Sequence, residues 1–248
     1  MAELKDGIIV DKTVTEKIFS KNEKGAMDVK KIKGIVIHQT NSQSAESTFN
    51  AYTAGRYNTK KKITEYFGAH FLIDRGSGTY RENKKDKPYP GIDGKIYQTA
   101  HVNQICNHAG NLKSKLYPTN SHSIGIEIVG RFDETDGYPA SSVAQVESAA
   151  WLVATLIELL SSIASTDAKD DHLYAHGDIS SGKKPSEGVS SLEQIRKQIE
   201  KEKAAKEKAA KAEGITVHTS IPFRMPPMAI DNTRVIIRYV PLHLADGE

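Results

Sequence analysis

The run Ser123-Ile124-Gly125-Ile126-Glu127-Ile128-Val129 decides how this chain is read. It is short, apolar and rich in β-branched residues, so it reads as a strand, and it is expected to be central in its sheet. Glu127 interrupts it. A carboxylate inside such a run is costly to bury without a partner or a task. Working outward, the upstream run Gly34-Ile35-Val36-Ile37 closes on His38, and the downstream Leu173-Tyr174-Ala175 delivers His176. A histidine at the mouth of a strand can project its imidazole into a cleft, and neutral imidazole is the commonest protein ligand for zinc. Two such histidines with an embedded carboxylate between them read as parts of a metal hydrolase.

The flanking segments fill in the architecture. Gly68–Asp74 and Lys95–Gln98 read as further strands. Ser44–Tyr52 reads as a helix with Ser44 as N-cap and Ala45, Phe49 and Tyr52 on one side. Ser141–Ser162 reads as a strong helix, with Val143, Val146, Ala150, Val153, Ile157 and Leu160 at helical spacing and Trp151 in or beside that face. Arg56–Lys62 reads as a basic loop, and the Lys-, Pro- and Gly-rich stretch Lys84–Asp93 as a second loop. Strands and helices intermix without a regular βα repeat. The expected class is therefore α/β (mixed), a central mixed sheet flanked by helices.

Composition narrows the function classes. The 248 residues carry 34 Lys and Arg against 31 Asp and Glu, a net +3 that does not describe a dedicated nucleic-acid binder. The basic runs Lys60-Lys61-Lys62 and Lys84-Lys85 read as solvated surface. With Cys106 alone, no intrachain disulfide can form. A small buried cysteine is the reading for Cys106, against a Cys/His nucleophile with His108. Met1–Asp6 shows no apolar leader, and no run reaches the roughly 18 apolar residues of a membrane span. The expectation is a chain made in the cytoplasm with no membrane insertion.

Four parts follow along the chain: a lead-in over 1–30, the main domain over 31–190, a charged helical extension over 191–213, and a tail over 214–248. The Lys-, Glu- and Ala-rich run after Ile199 has high helix propensity but cannot form a core alone, so the extension reads as a solvated helical spacer. The tail holds two strand-like runs, Ile215–Val217 and Val235–Val240, that could pair as a β-hairpin.

Four pieces occur in order: Gly34-Ile35-Val36-Ile37-His38-Gln39-Thr40, Gly68-Ala69-His70-Phe71-Leu72-Ile73-Asp74-Arg75, Asn107-His108-Ala109-Gly110 and Ser123-Ile124-Gly125-Ile126-Glu127. Over roughly residues 32–190 this series resembles the zinc-dependent N-acetylmuramoyl-L-alanine amidases, which share their fold with the peptidoglycan recognition proteins. The resemblance implies one Zn2+ beside a groove for a glycan with peptide stems, and hydrolysis of the amide between the muramic acid lactyl group and L-alanine. It implies His38 and His176 as ligands and Glu127 as the catalytic carboxylate. His108 matches a substrate-contacting position in the groove, with Gln39, Thr40 and Asn107 beside it. Many relatives carry Lys-x-Asp or Lys-x-Cys after the second histidine. An ungapped alignment puts Lys184-Pro185-Ser186 there. One extra loop residue puts Glu187 in the ligand place, which completes a His₂Glu zinc set. Glu187 is the expected third ligand with Ser186 as the alternative, and the oxyanion-stabilising lysine is Lys183 or Lys184. His70 reads as a core histidine, and His101, His122, His172, His218 and His243 as surface or packing.

The details of Ser77-Gly78, Lys84–Gly91 and Asn107–Ser114 resemble secreted toxin-type members. That implies an effector delivered by a type VI secretion machine, acting in the periplasm or cell wall of a target bacterium, with an immunity protein and a secretion component as partners beside the peptidoglycan or muropeptide substrate. The rivals are a non-catalytic peptidoglycan-binding module of the same fold, a phage endolysin, and a cytoplasmic muropeptide-recycling amidase.

Overall fold

The computed structural model describes residues 2–76, 78–82, 85–89, 91–130, 141–160, 163 and 172–212, the strands within 78–89 by backbone alone. In chain order the strands and helices are β1 (Glu3–Lys5), β2 (Ile8–Val10), β3 (Val14–Glu16), β4 (Glu23–Ala26), β5 (Gly34–Gln39), α1 (Ala45–Ala54), β6 (Arg56–Asn58), β7 (Ile63–Glu65), β8 (Phe71–Arg75), β9 (Gly78–Glu82), β10 (Lys85–Tyr89), β11 (Asp93–Gln98), β12 (Gln104–Cys106), β13 (Ser123–Ile128), α2 (Val143–Leu159), β14 (Leu173–Ala175), α3 (His176–Ile179) and α4 (Val189–Ala212). Six of the strands form one mixed sheet in the order β14-β5-β13-β8-β11-β3. β14, β5, β13 and β8 run parallel, β11 is antiparallel to β8, and β3 pairs parallel with β11 at the edge. The Ser123 run lies inside the sheet, as its apolar content requires.

Alternation along β5 and β13 sorts the side chains onto two faces. Ile35, Ile37, Ile124, Ile126 and Ile128, with Phe71 and Ile73 of β8, enter the main core under Leu152, Val153 and Leu156 of α2. Each of these isoleucines is at most 1% exposed, worth roughly 1.5–3 kcal/mol apiece. Val36, Leu72, His38, Gly125 and Glu127 fall on the other parity. There Leu72 packs with Ala45 and Phe49 of α1, and Val36 with Ala109 and Ile179. The site is built on this second face.

α2 starts on a complete capping box: Ser142 Oγ accepts from Gln145 N–H while Gln145 Oε1 accepts from Ser142 N–H. Of its expected apolar stripe, Val146, Ala150, Val153 and Leu160 are buried, but Val143 in the first turn is 74% exposed. Ser44 caps α1 as expected, its Oγ accepting from Ser47 N–H.

Two segments expected as loops are paired strands. Within Arg56–Lys62, β6 pairs antiparallel with β7, and the lysines occupy the connecting turn, where Asn58 Oδ1 accepts from the Lys60 and Lys61 amides. β10 pairs with β9 within the Lys84–Asp93 stretch. A two-stranded ribbon needs no buried face and tolerates Pro88, so hydrophobic periodicity cannot reveal it. The lead-in is woven into the domain: Ile9 is buried in the core and β3 forms the sheet edge. α4 is not solvated over its whole length. Leu192, Ile195 and Ile199 are buried in the same core as α2, because they recur at helical spacing. The expected hairpin over 214–248 lies outside the described residues. Among the described residues no helix is long and apolar enough to cross a membrane.

Candidate active site

Register brings the chemistry together. His38 and Glu127 are Cα partners across β5 and β13. Tyr174 pairs with Val36 and Ala175 with Ile37, so His176, the first residue of α3, follows at the level of His38. All three stand at the carboxyl ends of neighbouring parallel strands, where open α/β sheets place their sites.

Glu187 arrives from a folded-back loop. Gly177 N–H donates to Glu187 O at 2.8 Å, Glu187 N–H donates to Lys184 O at 3.0 Å, and Lys113 Nζ donates to Gly177 O at 2.6 Å. Gly188 then sits at φ +83° with its α-carbon so close to β5 that a Cβ would lie 2.4 Å from Ile37 O. Only glycine meets both demands.

His38 Nδ1 lies 2.8 Å from His176 Nδ1, which lies 2.8 Å from Glu187 Oε1. The donor atoms of His38, His176 and Glu187 all lie within 4.8 Å of one another. Burial first, then the neighbouring His176, His108 and Lys183, hold the His38 imidazole neutral far below its ordinary range. Burial alone would raise the Glu187 carboxyl, but the hydrogen bond and charge of His176, with Lys183 Nζ at 3.4 Å, hold it below the ordinary carboxylate value. The Nδ1 atoms of two imidazoles and an ionised carboxylate thus converge on one spot. That donor set fits a divalent cation, and His₂Glu suits zinc.

Glu127 is the outlying member. Among the described residues its Oε2 is buried with no hydrogen-bond partner. Burial, and secondarily the Glu187 charge, push its carboxyl up to about 8, against the pull of Lys183. The same residue lines a pocket of about 260 Å³ with Thr40, Ser42, Thr48, Tyr52, Arg56 and Phe67. The acid therefore faces a cavity on its open side.

The remaining expected site residues divide. Thr40 lines that pocket, and its Oγ1 accepts from the Ser42 and Gly130 amides. Gln39 Oε1 is buried without a partner. Lys183 reaches Glu187, whereas Lys184 and Ser186 are placed in the loop by backbone bonds, their carbonyls accepting from Glu187 and Val189. Asn107 is half-buried beside His108. His108, expected in the groove, is only 7% exposed and is turned onto the back of His38, its Nδ1 3.0 Å from His38 Nε2. The absent side chain of Gly125 leaves room for its ring, since a Cβ there would lie 2.8 Å from His108 Cγ.

His70 is a core histidine. Its Nδ1 accepts from Gly125 N–H and its Nε2 meets Gln104 O at 2.8 Å, while burial lowers its pKa to about 4. Cys106 is fully buried, and burial pushes its thiol up to about 12, so it holds no thiolate for nucleophilic work. His101 bonds Glu23 and His122 bonds Thr119. His218 and His243 lie outside the described residues.

Two residues carried no signal in the sequence. Asn120 Oδ1 accepts from the amides of both His108 and Ala109, at 3.0 and 2.7 Å, and so pins the loop twelve residues upstream. Tyr52 is 5% exposed, its hydroxyl accepts from Ala69 N–H, and burial together with the Glu127 charge raises its pKa. On α1 it had read only as one more apolar-face residue.

Residues 28–189 match the family model described as N-acetylmuramoyl-L-alanine amidase. In fold the chain is similar to a crystal structure of an AmpD derivative, with TM-score 0.56 and 20% identity over 79% of this chain and 98% of that one. Weaker likenesses include the amidase AmiD from E. coli, in complex with anhydro-N-acetylmuramic acid-L-Ala-D-gamma-Glu-L-Lys, at TM-score 0.39 and 19% identity over 72% of this chain and 57% of that one. Another is the amidase LysC from Clostridium intestinale, at TM-score 0.42 and 18% identity over 67% and 83%. No curated protein sequence gives a significant match. Because the family model spans most of the chain and covers every element that carries the cluster, this protein belongs to the N-acetylmuramoyl-L-alanine amidases, a family of peptidoglycan amidases.

Proposed function

We propose that this chain hydrolyses the amide between N-acetylmuramic acid and the L-alanine of the stem peptide, with zinc held by His38 Nδ1, His176 Nδ1 and Glu187. The observation that carries the reading is the placement of Glu127, a half-buried carboxylate whose Oε2 has no partner among the described residues, in register with His38 and at the wall of the pocket. When bound, zinc supplies Lewis acidity toward the scissile carbonyl and lowers the pKa of water toward about 7.

The chain's own groups do the proton work. Glu127 in its ionised form would take the proton of the attacking water, and burial, which favours the protonated carboxyl, helps it hold that proton until it passes to the departing α-amine. Atoms balance: the C–N bond breaks, water supplies OH to the lactyl carbonyl and H to the alanine nitrogen. Lys183, whose charge already acts on His38, Glu127 and Glu187, is placed to stabilise the developing oxyanion. The Glu127 pocket, with its hydroxyls and the Arg56 guanidinium, would receive a polar arm of the substrate.

The test is digestion of purified sacculi by the zinc-loaded protein. Free stem peptides with a new L-alanine amino terminus, and glycan strands without new reducing ends, are expected. Binding of sacculi without any release of peptide would favour a non-catalytic binding module instead.

For the biological setting we infer a secreted antibacterial effector, acting on the cell wall of a target bacterium. The likeness of the Asn107–Ser114 loop to toxin-type members supports it. Export of the protein to the periplasm of a test bacterium should lyse it, and co-expression of a cognate small periplasmic protein should protect it. Failure of every neighbouring gene product to protect would count against the effector setting while leaving the amidase intact.

A further inference from the structure

We propose that His108 is a positioning residue that fixes the tautomer and ring plane of the ligand His38. The inference rests on the metal-site reading above but adds a residue to it. A metal-binding imidazole must present a bare nitrogen to the ion, and the hydrogen bond made by its other nitrogen sets which one that is. His38 turns Nδ1 toward His176 and Glu187, so its proton belongs on Nε2. The atom facing that proton is His108 Nδ1, at 3.0 Å.

His108 must then accept at Nδ1 and carry its own proton on Nε2. That nitrogen meets two acceptors, Ser123 O at 3.4 Å and Ser123 Oγ at 3.3 Å. Ser123 Oγ spends its hydrogen on Thr119 O at 2.8 Å, which leaves its lone pairs free toward His108. The relay has one direction throughout: His38 gives to His108, His108 gives to Ser123, and Ser123 gives to Thr119. His38, His108 and Ser123 are 2%, 7% and 0% exposed, so bulk water does not compete.

The backbone is arranged around this ring. Asn120 Oδ1 holds the amides of His108 and Ala109. Gly125 lies beneath, and a Cβ there would sit 2.8 Å from both Cγ and Nδ1 of His108. The glycine in the Ser-Ile-Gly-Ile-Glu run therefore makes room for the clamp on the same sheet face as His38 and Glu127. Among the described residues His176 has no equivalent: its Nε2 is buried without a hydrogen-bond partner. His38 is the ligand whose orientation is held from behind.

The experiment measures zinc affinity of the full chain by chelator competition, with the cobalt(II) absorption spectrum as a second readout. His108→Leu, which removes the acceptor, should weaken zinc binding by about 10–100-fold and distort the cobalt spectrum. His108→Gln can still offer an acceptor oxygen to His38 and should keep binding within about threefold of the parent, an order-of-magnitude expectation on the same ground. Equal affinity for His108→Leu and the unaltered protein would overturn the proposal, as would His108→Gln losing as much as His108→Leu. Should His108→Leu fail to fold, nitrogen-15 NMR of the unaltered zinc form decides: the Nε2–H tautomer at both His38 and His108 supports the relay, and Nδ1–H at His108 overturns it. Absence of zinc binding by the unaltered protein would instead strike the metal-site reading itself.

Discussion

His38 and Glu127 face each other as Cα partners on two adjacent parallel strands, β5 and β13, and both project from the same side of the sheet. A hydrogen-bonded ladder holds their relative position more rigidly than loops could, so the proposed ligand and the proposed proton-transfer group keep one separation. The neighbouring Ile37 and Ile126 are also partners and point into the core, which anchors both strands from beneath.

Glu187→Ala should lower zinc affinity by at least about tenfold and peptide release by about a hundredfold, because it removes one of three donors. Ser186→Ala should change neither. Metal content after dialysis and sacculus digestion check both. Full zinc occupancy in Glu187→Ala would sink the ligand assignment.

Glu127→Gln should retain zinc yet lose about 10²–10⁴ in kcat, the scale of a lost general acid–base group. It should also change how metal-free protein responds to pH. The Glu127 carboxyl is raised from 4.5 to about 8 in the fold, chiefly by burial. Its contribution to stability is therefore fully present below about pH 4.5 and is lost as pH rises through about 8. Relative to Glu127→Gln, the unaltered apo-protein should lose on the order of 3 kcal/mol across that window. Urea unfolding in chelator at pH 4.5 and 8.5 measures it, and parallel curves for the two proteins would contradict the burial argument.

Lys183→Ala should reduce kcat by about 10²–10³ with a modest change in KM, as expected for loss of an oxyanion-stabilising charge. Lys184→Ala should stay within about threefold of the parent, since it is the Lys183 ammonium that lies 3.4 Å from Glu187. The reverse ranking would exchange their roles.

Gly188→Ala should cost roughly 2–4 kcal/mol of stability or displace the loop, since the added methyl meets Ile37 O at a positive φ. Because Gly188 follows Glu187 directly, zinc affinity should fall with it. Thermal melting and chelator competition together report both effects, and a variant unchanged in both would show that the loop tolerates a different path.

Local chemistry was legible where it repeats or stands out. The β-branched run ending in His38, the short Leu173-Tyr174-Ala175 segment before His176, a carboxylate inside Ser123–Val129, and the cap at Ser44 all follow from short-range rules. The ribbons β6–β7 and β9–β10 were not legible, because their sequences carry no alternating apolar pattern. The packing of Leu192, Ile195 and Ile199 was masked by the Lys- and Glu-rich composition that follows them. His108 was read as a groove residue because its motif says that a histidine is needed there, not which way the ring turns.

The sequence by itself determined the strand that carries Glu127, the two histidines that follow strands and the family the chain belongs to, since each depends on residue type and order along a short stretch. Tertiary structure alone decided that Glu187 joins His38 and His176, that Lys183 reaches Glu187 through its side chain, and that His108 stands behind a ligand. Those outcomes depend on a loop folded back through Gly177 and Gly188 and on a ring seated over Gly125, contacts between segments that lie from about ten to more than a hundred residues apart.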